Sequence, residues 1–152
     1  MKRGCFEDHL RLFRVIFSDL SNQVRATPER FRAVFEADAK SSHLDVLLTN
    51  AFWGRGAYLF VPAHQHLVLP LHACFWLSRS HRAMFPRIIV QAEKGSTVTF
   101  VQEFISPDGP SALLSGLIDV TLAAGASVNC YTLSNLGAGT GSQVRMRVSA
   151  EA

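Results

Sequence analysis

The chain has little of what small secreted or membrane proteins depend on. Its three cysteines, Cys5, Cys74 and Cys130, are odd in number and show neither a CxxC pair nor zinc-site spacing, which argues against a disulfide framework and a structural zinc. No apolar run approaches the ~18 residues of a membrane-crossing helix. The start, MKRGCFEDHL, is charged where a signal peptide carries an apolar stretch. Charged residues are scarce, 18% with a net charge of +3, and the early arginines alternate with acids, as at Glu29-Arg30 and Arg32 near Glu36. That is the pattern of a solvated helix face, not of a nucleic-acid patch. Neither nucleic acid nor membrane is an expected partner, and the expected setting is the cytoplasm or an equivalent reducing compartment. Gly-x-Ser-x-Gly, P-loop and Rossmann glycine patterns are missing. So are the paired carboxylates of sugar-cleaving β-helices: Glu93, Glu103, Asp108 and Asp119 form no evident pair. No enzyme activity and no cofactor are expected.

What is present is apolar. Hydrophobic residues make up 48% of 152 residues, and the aromatics are mostly phenylalanine, so the chain has the means to bury a core of roughly two-thirds of its unfolded surface. From Thr49 to Leu136 the apolar residues are organised around a repeated turn. His64, Gly95 and Gly125 stand 31 and 30 residues apart. Before that position lie Ala57, Leu59, Val61; then Ile88, Val90, Ala92; then Ile118, Val120, Leu122. After it lie Leu67 and Leu69, Val98 and Phe100, Val128 and Cys130. Period-2 alternation on both sides of a turn, repeated at about 30 residues, is the mark of a solenoid whose neighbouring coils bury what one repeat cannot. The pattern predicts a mainly β chain with a β-helix of about three coils.

The flanks read differently. Leu12 to Phe17 is rich in strand-forming residues and stops at Ser18-Asp19, a helix N-cap pair; helical spacing of Phe6, Leu10, Phe13, Phe17, Leu20 and Val24 also permits one long helix instead. The strand reading places a helix over Leu20 to Arg25. Thr27 and Pro28 then open a second helix with Phe31, Val34 and Phe35 on its buried stripe. Leu44 to Phe52 leads into the first coil, so residues 1–44 are expected as a strand and two short helices and 45–152 as the β-helix. Ser78 to Met84 and Ser106 to Ser111 are excursions between coils, the second carrying a Pro-Asp-Gly turn. After a glycine-rich break at Gly137, Val144, Met146 and Val148 alternate as a last strand. A helix ending there leaves an open edge, which predicts a homodimer joined through Gln143 to Val148.

Four residues tempt a metal-site reading: His64, His66, His72 and Cys74. Equal parity puts them on one face of a strand, but His64 and His72 are then roughly 26 Å apart. At most two bidentate pairs, His64/His66 and His72/Cys74, are available, each short of a full ligand set. The competing reading, exposed polar residues on an outer face, is the simpler one. A His-x-His likeness to cupin metal sites lacks the following Glu. Cys130 falls on an inward position as a small core hydrophobe.

Several motifs in order carry a likeness to a family. VIFSDLSNQVRATPERFRAVF (Val15 to Phe35), LLTNAFWGRGAYLFVPAHQHLVLPL (Leu47 to Leu71) and FPRIIVQAEKGSTVTFVQEFISP (Phe85 to Pro107) resemble the SufB/SufD family of iron–sulfur cluster assembly proteins. The resemblance implies a right-handed parallel β-helix, a SufB-like partner and a SufC-like ABC-type ATPase. The family's scaffold members carry a cysteine before Thr-Ala-Pro; the matching residue here is Phe104, ahead of Ile105-Ser106-Pro107. Their Arg-x-Asn falls on Trp76 and Ser78, and their Gln-Asn-Trp on Ser134, Asn135 and Leu136. The resemblance therefore points to the SufD-like branch, shortened relative to the family, acting as a non-catalytic interaction scaffold. The family's turn glycine is His64 here, a costly exchange if that position needs positive φ.

Overall fold

The computed structural model describes residues 14–78, 82–109 and 111–151. Leu12, Phe13 and Cys5 lie outside them. The order is β1 (Ile16–Asp19), α1 (Leu20–Ala26), α2 (Pro28–Ala39), α3 (Leu44–Phe52), β2 (Arg55–Val61), β3 (Leu71–Trp76), β4 (Ala83–Met84), β5 (Pro86–Ala92), β6 (Thr97–Ser106), β7 (Ala112–Leu122), β8 (Ser127–Leu136) and β9 (Thr140–Ala150). Two sheets face each other. The larger runs β1-β2-β5-β7-β4, with β9 also on β7; the smaller runs β3-β6-β8. Apart from the antiparallel β1–β2 pair, the pairings are parallel: β2–β5, β5–β7, β7–β9, β4–β7, β3–β6 and β6–β8. The chain is a parallel β-solenoid of about three coils.

The inward register follows the alternation in the sequence. Leu59 pairs Val90 and Val90 pairs Val120; Val98 pairs Val128. Leu59, Val61, Val90, Val98, Phe100 and Phe104 are fully buried between the sheets. The corner ladder is built as the spacing predicts: His64, Gly95 and Gly125 all have positive φ, 61°, 64° and 71°. His64 N–H donates to the Lys94 carbonyl and Gly95 N–H to the Ala124 carbonyl, so each coil's corner hydrogen-bonds to the next. The left-handed conformation turns the chain from one sheet to the other, and glycine takes it without steric cost.

Several expectations need correction. Leu69 is not inward: it is 61% exposed. Leu67 is next to Thr97, which bridges His66, but Phe100 pairs Leu71. Two extra residues therefore bulge out of the first coil around Val68-Leu69-Pro70, and Leu71 takes the inward place. Leu44 to Phe52 is a third helix, α3, not a lead-in; His43, extended, precedes it, and Thr49 Oγ1 ties it to the Ser115 carbonyl at 3.2 Å. The excursion after Ser78 ends in a short strand, β4, on β7. From residue 14 onward the single long helix is replaced by β1 and α1, with Asp19 as the N-cap accepting from Ser21 N–H at 2.8 Å. Thr27 opens α2 beside Pro28, but its hydroxyl turns back to the Gln23 carbonyl of α1.

The helices form a second layer. They lie on the outer face of the larger sheet, where Leu20 and Phe31 bury Tyr58 and Ile89, with Ile16, Val34, Phe35 and Trp53 around them. Phe31 meets Tyr58 edge-on at 5.0 Å and Phe35 stacks on Trp53 at 5.5 Å. No helix of the described residues is long and apolar enough to cross a membrane.

Candidate functional site

The four tempting residues do not share a site. His64 sits on the corner, exposed, its ring lying over Gly95, where an added Cβ would be 2.9 Å from Nδ1. His66 is exposed on the isolated bridge to Thr97. His72 and Cys74 are exposed on the outer face of β3, as their parity predicts. What His72 meets is an acid: its Nε2 lies 3.1 Å from Glu103 Oε2 on β6. Among the described residues no group of three or more His, Cys, Asp or Glu converges to hold a metal ion.

The larger charged constellation was not legible in the chain. Arg87 on β5 and Asp38 at the end of α2 are both completely buried and ion-paired. Arg87 Nη2 also lies 2.6 Å from Asp119 Oδ2 on β7. Arg147 on β9 closes the ring, with Nη1 2.5 Å from Asp38 Oδ1 and Nη2 2.5 Å from Asp119 Oδ1. Next to it, Arg145 Nε holds Asp45 of α3 at 2.6 Å. Phe35 covers Arg87, its ring centroid 5.2 Å from Cζ. Burial pushes the Asp119 carboxyl up, against the pull of Arg87 and Arg147. The Arg145 hydrogen bond holds Asp45 below its ordinary range. Two cations and two anions in a closed ring leave little net charge under the helices, which is how so polar a group can be buried. The ring ties α2 to three successive strands; it is a structural clamp.

Inside the solenoid the polar groups are few and satisfied locally. Gln102, fully buried, donates to Thr132 at 2.6 Å and accepts from Cys130 Sγ at 3.4 Å. Cys130 is thus half-buried against the core with a polar partner, and burial raises its thiol pKa. Phe104 fills the neighbouring level, stacked on Phe75 at 5.6 Å.

The outer face of the smaller sheet carries no helix of the described residues. Registered rows there read His72–Val101–Tyr131, Cys74–Glu103–Leu133 and Trp76–Ile105–Asn135. Trp76, Tyr131 and Leu133 are 69%, 57% and 49% exposed. These large apolar side chains stand among polar ones, with the His72–Glu103 pair on β3 and β6 between Trp76 and the two residues of β8.

The class of protein these observations define is a short parallel β-solenoid, with helices packed on the outer face of its larger sheet and a mixed polar and apolar outer face on the smaller one. The family described as "SUF system FeS cluster assembly, SufBD core domain" matches residues 75–152, and the chain belongs to it. Among curated relatives, an iron–sulfur cluster assembly SufBD family protein of Staphylococcus epidermidis is 27% identical over 123 residues, covering 80% of this chain and 26% of that protein. The iron–sulfur cluster assembly protein SufD of Bacillus subtilis is 28% identical over 139 residues, 90% of this chain and 32% of that protein. The chain spans about a quarter to a third of the length of the curated relatives it matches.

Proposed function

We propose that the chain serves iron–sulfur cluster assembly as a non-catalytic, SufD-like subunit, a rigid scaffold that presents surfaces to SufB-like and SufC-like proteins. The observation that carries this reading is the interior at Phe104. By the sequence resemblance this is where scaffold members hold a thiolate, and here a fully buried aromatic ring stacks on Phe75. A phenyl ring has no lone pair to offer iron. The surroundings agree: by the same resemblance Ser134 and Leu136 stand where the family's Gln and Trp would, and exposed Trp76, Tyr131 and Leu133 on the smaller sheet offer a partner apolar side chains to cover. Co-expression with SufB-type and SufC-type proteins tests the proposal. Co-elution of the three on size exclusion supports it; elution of this chain apart from both sinks it.

A second reading, self-association through the unpaired side of β9, has its own observation. Met146 and Val148 occupy inward positions of β9 yet remain exposed, and β9 pairs only with β7 among the described residues. Sedimentation across a range of concentrations distinguishes this homodimer from a monomer that binds only other subunits.

A further inference from the structure

We infer that the free edge of β3 is a docking site for an extended, acidic peptide segment of another protein. Three independent observations converge there. The first is backbone chemistry. β1 covers the edge of β2 in the larger sheet, whereas among the described residues β3 pairs only with β6. Leu77 N–H donates to the Ile105 carbonyl and Leu67 N–H to the Thr97 carbonyl. Successive residues of a strand point their backbone groups to opposite sides, so Leu71, Ala73 and Phe75 serve the β6 ladder. His72, Cys74 and Trp76 turn their N–H and C=O groups outward to the unpaired side. Such an edge is a ready template for an added strand.

The second observation is a cleft of about 490 Å³ beside that edge, between β1, β2 and β3, floored by Phe17, Ala57, Ala73 and Phe75. A strand laid on β3 points every second side chain into it, and the volume takes an aromatic or branched residue. The third is charge. Arg55 lines the cleft, and Arg55 and Arg82 both line a neighbouring hollow that shares Trp76 with it. Neither arginine is ion-paired among the described residues, in contrast to Arg87, Arg145 and Arg147. The one carboxylate lining the cleft, Asp19, is occupied as the cap of α1 by Ser21. Edge hydrogen bonds supply affinity, the cleft selects an apolar side chain, and the two cations select acidic neighbours.

The test uses a fluorescent synthetic peptide of about eight residues, alternating valine and threonine around one phenylalanine flanked by glutamates. Two controls accompany it: lysines in place of the glutamates, and N-methylation at alternate backbone nitrogens. Binding is read by anisotropy on the full chain, with hydrogen exchange at His72, Cys74 and Trp76. The glutamate peptide should bind and slow exchange at those three amides, and the N-methylated one should fail. Arg55→Glu should weaken binding about tenfold or more. Cys74→Pro should abolish it while Cys74→Ser keeps it, because proline removes an edge donor and leaves the β6 ladder intact. Equal binding of the lysine or N-methylated peptide overturns the proposal, and neither control alters the protein's fold. Amides at the three positions already protected in the free chain also overturn it, since the edge would then be filled by the chain's own first residues or by a second copy.

Discussion

The two outer faces of this solenoid share one register and meet opposite fates. On the larger sheet, outward residues Tyr58, Arg87 and Ile89 are buried beneath the helices. On the smaller sheet, outward residues Trp76, Tyr131 and Leu133 face solvent. Alternation alone assigns both sets to the outside. The difference lies in what precedes the solenoid: α1 to α3 bring aromatic residues and two acids, Asp38 and Asp45, to one face only. A solenoid coil fixes which residues point in; a separate element decides what outside means.

The sharpest way to break the comparison is to place the same charge on each face. Ile89→Asp puts an unpaired carboxylate between sheet and helices, where even a neutral polar group without a partner costs about 2–7 kcal/mol in transfer terms. An ionised carboxylate costs more than that figure, and the expected outcome is loss of the cooperative thermal transition. Val101→Asp, outward on β6 and only partly buried, should cost about 1 kcal/mol or less. Similar melting of the two variants would show that the faces are not distinct.

The next effect belongs to the clamp. Asp38→Ala leaves Arg87 buried with Asp119 alone and frees one side of Arg147, and breaking a buried pair from one side typically costs about 3–5 kcal/mol. Urea unfolding should show that loss, with α2 released. An Asp38→Ala protein within about 0.5 kcal/mol of the parent would mean that hydrophobic packing of Phe31 and Phe35 holds the helices without the ions.

How much of this could be read from the chain follows from the physics of each part. The inner register was legible because period-2 alternation is local, and three coils repeat it; Leu69 escaped because a two-residue bulge preserves parity while shifting place. The α3 helix was hidden because Leu44 to Phe52 runs straight into the first coil without a capping side chain at His43. The clamp as a unit could not be assembled: Asp38, Arg87, Asp119 and Arg147 are separated by tens of residues, and only stacking of coils makes them neighbours. Its one faint signal was a charge, Arg87, on a strand whose other residues are uncharged.

A smaller effect tests the ion pair beside the clamp by pH. Asp45 is held below its ordinary value of 3.8 chiefly by the hydrogen bond from Arg145. A depressed folded pKa gives stability that is present above 3.8 and lost as pH falls through the folded value. Asp119 works with the opposite sign: its raised pKa, driven by burial, makes stability fall as pH rises from 3.8 through the folded value. Asp45→Asn should therefore be less stable than the parent at neutral pH and converge with it in acid. A difference that stays constant down to pH below the folded value would remove the ion pair from the account.

The smallest effect lies at the corner that joins the two sheets. His64 adopts φ 61°, where the next coils place Gly95 and Gly125. A left-handed conformation costs an L-residue about 1–2 kcal/mol, and a glycine returns about 0.5–1 kcal/mol of that through its freer unfolded state. His64→Gly should then stabilise the fold by about 0.5 kcal/mol, roughly 1–2 °C in Tm at this chain length. His64→Val should do the reverse, since a β-branched residue is a poor fit to positive φ. The ring over Gly95 is the competing term. If its packing outweighs the strain, His64→Gly will melt below the parent, and the first corner will have kept histidine for what it covers, not despite what it strains.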